Sequence, residues 1–521
     1  MLPIPTLKEL IHPQGDLSSP PALGRNDTFA IQTPGGVFHV HYDAEGEVSH
    51  LGGIVPFAQF MKASSLFDNW VGDAPLSYAS NRALGVQDVL GTILLAMISG
   101  HYRFSHVTAL RGDTVIPQLL GMRQVASEDS IRRAVLKLVK QSEDRDKSML
   151  WLRRHIRKTL EPLFTVPWTL DIDVTIKPVY GYQPGSVVGY NPVKPGRPSH
   201  ALHSFVMAQT RLVLDVSVHP GNEHTSNHTL VDLQRVLADV PRHLWPALLR
   251  GDCGFGTDEI MSWAEGVGLT YLLKQKRTPN TVRMIDEIDL LGGWIDAGQG
   301  WEGKESMLQL STWKAPRRVV VLRRPDPGPR YLRAKDVEAA KQPKQQVIDT
   351  FEPYIVAGGF EYQVLVTNLA ESVPMIAQRY RDRADMENIF DEIKNHWGWG
   401  GFTSRTFEVT QAVALMSALA YNWWSIFCRL ADPNHHREAV TTRPTLLHGI
   451  VRQTTHGNQR TLVVTSTNGN KTAIATFLNR IGQWLASWVT NAEQWTSCKR
   501  WESILRAIFA GPLGVIAANT G

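Results

Sequence analysis

Three short stretches, each carrying an acid in a different local pattern, constrain this chain more than its length or composition does. The first, Leu170-Asp171-Ile172-Asp173-Val174-Thr175, alternates with the period of a strand, so Asp171 and Asp173 fall on one face. The second, Leu249-Arg250-Gly251-Asp252-Cys253-Gly254-Phe255-Gly256, places Asp252 just after an apolar run. Its glycines give the backbone freedom to turn sharply into a helix expected from Thr257 to Glu265. The third, Gln378 to Gly398, has no Pro or Gly between Met375 and Trp397 and reads as a single helix. On a helical wheel Tyr380, Arg383, Glu387 and Lys394 fall within roughly 60° of one another, beside an apolar arc of Met386, Ile389, Phe390 and Ile393.

Taken alone, the third stretch is also what i,i+3 and i,i+4 charge pairs on a solvated helix face produce. Two strand carboxylates with one helix carboxylate, however, form a usual constellation for holding two divalent metals at a phosphodiester. Together the stretches resemble the DDE transposases of bacterial insertion sequences, in the branch marked by a Tyr-(2)-Arg-(3)-Glu-(6)-Lys signature. Tyr380, Arg383, Glu387 and Lys394 keep every spacing of it. Asp173-Val174-Thr175 fits the family's Asp-x-Thr context, and Arg250 through Phe255 its Arg-x-Asp-x-Gly-Phe context. The resemblance runs from Pro167 to Trp424.

The resemblance implies that Asp173, Asp252 and Glu387 are the catalytic acids and hold two Mg²⁺ (or Mn²⁺) ions, with Asp171 a second-choice carboxylate. Oxygen-only ligands suit those ions better than zinc. It further implies that Tyr380, Arg383 and Lys394 contact DNA phosphates near the cleaved end, Arg bidentately and Lys as a point charge. Cut-and-paste movement through a DNA hairpin is implied as well, as is a homodimer acting on double-stranded DNA, both element terminal inverted repeats and target.

The expected fold class is α/β: a ribonuclease-H-like catalytic core interrupted by a β-rich insertion, with a mainly helical N-terminal DNA-binding region and a helical C-terminal region. The expected divisions are 1–165, 166–280 (core, first part), 281–359 (insertion), 360–431 (core, second part) and 432–521 (DNA contact or dimerisation). A three-strand meander is expected to begin at Asp173 and to return through 201–208 and 211–218. Near the N-terminus, Val37 to Tyr42 suggests a small strand pair. Ser127 is a candidate N-cap for a helix carrying Arg132, Arg133 and Lys137 opposite an apolar side. Short helices followed by such a helix suit a helix-turn-helix-like DNA reader, and an ordinary surface helix has the same pattern. In the insertion, Trp294, Trp301 and Trp313 are candidates for stacking on a flipped base, against the alternative of a buried structural role.

Composition sets outer bounds. With 521 residues the chain should hold roughly three or four packing units. A net charge of +5 permits nucleic-acid binding without demanding it. Cys253, Cys428 and Cys498 lie far apart and argue against a thiolate zinc site. The apolar run Ala412 to Cys428 includes Ser417, Asn422 and Ser425 and falls short of the ~20 residues a membrane span needs. A cytoplasmic, nucleoid-associated protein is expected. His219, His224 and His228 sit in a loop leading into a helix, and a cap or solvated role is favoured there over zinc. Two other functions stay open: a metal-dependent nuclease without joining activity, and a catalytically silent DNA-binding repressor or co-opted regulator.

Overall fold

The alternation around Asp173 is realised in the middle of a mixed sheet. The computed structural model describes residues 28–509 apart from 42–45, 81–82, 182, 190–193, 223–225, 327–354, 358, 403, 405 and 491–495. The sheet's eleven strands are β1 (Thr169–Pro178), β2 (Val187–Val188), β3 (Pro198–Met207), β4 (Leu212–Pro220), β5 (Leu248–Gly251), β6 (Tyr271–Lys274), β7 (Ile295–Gly298), β8 (Trp301–Leu308), β9 (Arg317–Pro325), β10 (Ile355–Ala357) and β11 (Phe360–Thr367). Their order is β7-β8-β9-β11-β6-β5-β1-β3-β2, with β4 also on β3 and β10 also on β11. The expected meander β1-β3-β4 is antiparallel, whereas β5 joins β1 and β6 in parallel. Strands β7, β8 and β9, from the stretch expected as an insertion, extend this same sheet through β11 and β6.

The helices that position the site are α1 (Glu128–Val139), α2 (Ser142–Leu160), α3 (Ser226–Ala238), α4 (Val373–Arg381), α5 (Asp385–His396) and α6 (Phe407–Ala431). Ser127 caps α1 as expected, its hydroxyl accepting from Ser130 N at 3.2 Å. A strand pair, Thr28–Thr33 with Gly36–His41, stands where Val37 to Tyr42 suggested one, Tyr42 itself lying outside the described residues. Glu47–Ser49 adds to a hairpin formed by Gly449–His456 and Gln459–Ser466, so the two ends of the chain share a small sheet.

Helix α6 is buried almost from end to end, and its polar residues have a specific use. The Asn422 amide accepts from Val213 N at 2.9 Å and donates to Val213 O at 2.7 Å. Gln411 does the same for Val218 N (2.7 Å) and Val216 O (2.8 Å). These side chains complete the hydrogen bonds of β4, whose backbone groups would otherwise be buried without partners. Among the described residues no helix is long and apolar enough to cross a membrane. Among the described residues the buried side chains form one cluster running from Leu51 to Phe509 and a second, smaller one under α4. Helix α6 joins much of the larger one, through contacts such as Phe427 with Phe57 and Trp423 with Trp70.

One buried histidine gives a pH signature. His155 on α2 hydrogen-bonds Asp73 at 3.0 Å, yet burial holds its imidazole down at about 4 against an ordinary 6.5. A depressed folded-state value contributes stability that is present above pH 6.5 and lost as pH falls toward 4. The unfolding free energy from urea titrations should therefore drop across that window, by up to about 1.4 kcal/mol per pH unit from this group. His155→Gln should flatten the slope; an unchanged slope would assign it elsewhere.

Candidate active site

Asp173 and Asp252 reach one another through strand register. On the parallel pair β1–β5, Asp171 aligns with Arg250 and Ile172 with Gly251, so the two acids follow at the next position of neighbouring strands. Burial pushes the Asp173 carboxyl up to about 6; Arg383 opposes that shift, and the charge of Asp252 adds to it. Asp171, on the same strand face, is used differently. Its two oxygens accept from Arg250 Nε and Nη2, both at 2.7 Å, and the same guanidinium donates to the Arg379 carbonyl on α4. Asp173 is held differently: Oδ1 accepts from Val174 N at 2.7 Å and Oδ2 from Arg383 Nη2 at 2.7 Å, so a single guanidinium nitrogen, not a two-pronged clamp, meets its carboxylate. The clamping role of Arg250 was not visible in the sequence, where it served only as motif context.

The Asp252 turn is built by close approach. Gly251 and Gly256, expected to supply unusual backbone freedom, have no left-handed φ. A Cβ on Gly251 would stand 3.0 Å from Ile172 and Phe255, and one on Gly256 would stand 2.8 Å from the Lys274 carbonyl. Asp252 Oδ1 accepts from Gly254 N at 2.8 Å, holding the turn. The helix that follows is Asp258–Gly266, capped by Thr257.

The run expected as a single helix is divided. α4 ends at Arg381, a 3₁₀ turn spans Asp382–Ala384, and α5 begins at Asp385. The turn carries Arg383 to β1, where Nη2 donates to Asp173 Oδ2 at 2.7 Å and to Ile172 O at 3.1 Å. The single wheel drawn through Tyr380, Arg383, Glu387 and Lys394 therefore does not hold across the turn. Burial works against the Arg383 charge, but Asp173, Tyr380 and Asp252 outweigh it and hold the guanidinium protonated. Tyr380, at the end of α4, has its phenol pushed well above the ordinary range by burial, so it stays a donor. Lys394 is half-buried on α5, its ammonium lowered by burial and steadied by Asp391. Glu387 belongs to α5, and its side chain lies outside what the structure describes.

The remaining candidates have other partners, although Trp301 belongs to the small apolar cluster on which Tyr380 packs. Arg132 and Arg133 pair with Glu128 (2.7 Å) and Asp129 (3.2 Å) one turn back on α1, and Lys137 donates to the Ser77 carbonyl. Exposed i,i+4 pairs are weak. Trp301 and Trp313 are buried, each under an arginine: Arg324 at 4.6 Å and Arg317 at 5.4 Å from the ring centres. Trp294 is half-buried, between Arg323 at 4.1 Å and Tyr362.

A family model described as transposase DDE domain, group 1, matches residues 38–484. No curated protein matches the chain. Among solved structures, the cryo-EM structure of a piggyBac transposase synaptic complex with hairpin DNA is similar over 92% of this chain and 90% of that one, with 9% identity and a TM-score of 0.38.

Proposed function

The chain belongs to the transposase DDE domain group 1 family, and from that premise we propose that it cuts and joins DNA, moving an element of the insertion-sequence type by a cut-and-paste route. The observation that carries the reading is the placement of Asp173, midway along β1, beside Asp252, just past the end of the parallel strand β5, with Arg383 reaching Asp173 from the signature turn. The order β4-β3-β1-β5-β6, antiparallel and then parallel, supports a ribonuclease-H-like core. The reading also takes residues 281–359 as a β-rich insertion, 1–165 as holding a DNA-binding segment, and 432–521 as DNA-contacting or dimerising.

The residues fit a divalent cation. Two carboxylates stand close enough to raise the Asp173 value, and the donors are all oxygen, as Mg²⁺ or Mn²⁺ prefers. Asp173, Asp252 and Glu387 would hold such ions, two in this reading, and the ions would supply an activated oxygen nucleophile and neutralise charge on the leaving oxygen. The protein's own part is positioning. Arg383 fixes Asp173 at the strand, and Arg250 keeps Asp171 occupied. Tyr380 keeps its proton to donate to a phosphate oxygen, and Lys394 adds positive charge beside the strand being cut. A homodimer on paired element ends and a nucleoid location belong to the same proposal.

The test is Mg²⁺-dependent cleavage and joining of DNA carrying the element ends, wild type beside Glu387→Gln. Wild-type activity that the variant loses, with DNA binding retained, is the expected result. Binding without cleavage in both would point to a silent DNA-binding protein. Cleavage without joining of pre-cut ends would point to a nuclease.

A further inference from the structure

We propose that His203, His219 and Asp232 form a separate metal site, for Zn²⁺ or a similar borderline divalent ion, on the sheet face opposite Asp173. Register establishes the faces. Asp173 aligns with Ser204, and the adjacent His203 aligns with Val174 on β1 and Ser217 on β4. His219, two residues beyond Ser217, shares the His203 face. Helix α3 lies over that face and presents Asp232 and Arg235 to it. One ligand atom from each of His203, His219 and Asp232 lies within 4.8 Å of the other two.

Three observations favour an ion over an ordinary polar contact. His203 is 3% exposed, and its buried Nδ1 has no hydrogen-bond partner among the described residues. A buried polar atom left so is unfavourable unless a partner satisfies it. Next, Asp232 is already oriented: Oδ1 accepts from Arg235 Nη2 at 3.0 Å, while Oδ2 accepts from His219 Nε2 at 2.8 Å, a proton that the ion would replace on binding. Finally, the His219 ring is backed by His228, stacked at 4.2 Å and 11°, and by His203 at 4.6 Å, which fixes its plane. Two imidazoles with one carboxylate suit zinc better than Mg²⁺, and three protein ligands leave a fourth position for water. The ion would join two strands and the helix over them, at a place distinct from the strand-cutting acids. The site does not depend on the DNA reading.

The experiment uses the full chain, free of any affinity tag, equilibrated with Zn²⁺, desalted and analysed by elemental mass spectrometry. Wild type should keep about one zinc per chain. Retention should fall at least about tenfold in His203→Gln and in Asp232→Asn, and persist in Asp173→Asn. Two wild-type measurements guard against misfolded variants: Co²⁺ in place of zinc should give the visible absorption of a tetrahedral site, and chelation should lower the melting temperature. No retained zinc, no cobalt spectrum, or retention lost in Asp173→Asn but kept in folded His203→Gln would each overturn the proposal.

Discussion

Asp173→Asn should reduce Mg²⁺-dependent DNA cleavage by at least about 10³-fold, the scale of several kcal/mol of transition-state charge stabilisation. Asp171→Asn, two residues away on the same strand face, should act mainly on stability. The difference follows from their partners. Asp171 gives both oxygens to Arg250 at 2.7 Å, deep in the sheet. Asp173 gives Oδ2 to Arg383 and faces Asp252 at the strand end. An amide at 173 has one oxygen for two donors, Arg383 and Val174 N, and removes the anionic charge that a cation requires, so cleavage should disappear while the urea midpoint falls only as far as it does for Asp171→Asn. An amide at 171 weakens a doubly charge-assisted contact, worth about 1.5–3 kcal/mol. The two variants should therefore separate when cleavage rate is plotted against stability. Equal rates in folded samples of both would refute the choice of Asp173 over Asp171.

This pair shows how far the sequence could be read. Alternation placed both acids on one face because a strand's period is fixed by its backbone. That Asp171 is clamped depended on Arg250, which is 79 residues away and is set opposite it by the β1–β5 register. The signature run was legible as helical. Its 3₁₀ turn was not, since nothing in Asp382-Arg383-Ala384 forbids an α-helix, and the turn coincides with the reach of Arg383 to β1. The glycines beside Asp252 were recognised as necessary for the wrong reason: crowding by a neighbouring strand and a left-handed turn leave the same residue in the sequence. Asn422 and Gln411 interrupt an apolar helix, but their use appears only once β4 lies alongside. His203 and Asp232 carried no local signal at all, because a strand–strand register and a helix packing together bring them to His219.

The second large effect is expected at Arg250 itself. Arg250→Ala should destabilise the fold by about 3–5 kcal/mol, because it strips the guanidinium from a carboxylate that is only 1% exposed. The loss should also reach the site. Arg250 holds the Arg379 carbonyl near the end of α4, immediately before the turn that delivers Arg383 to Asp173. Without that anchor the turn should loosen, and cleavage at temperatures where the variant is still folded should fall as well. The double variant Asp171→Leu with Arg250→Met separates the two consequences. Replacing both charges by apolar groups of similar size leaves neither one buried alone, so most of the stability should return. The Arg379 carbonyl still lacks its donor, so cleavage should stay below wild type. Recovery of stability and cleavage together would mean that the pair serves the core alone. Recovery of neither would mean that the apolar pair does not fit between β1 and β5.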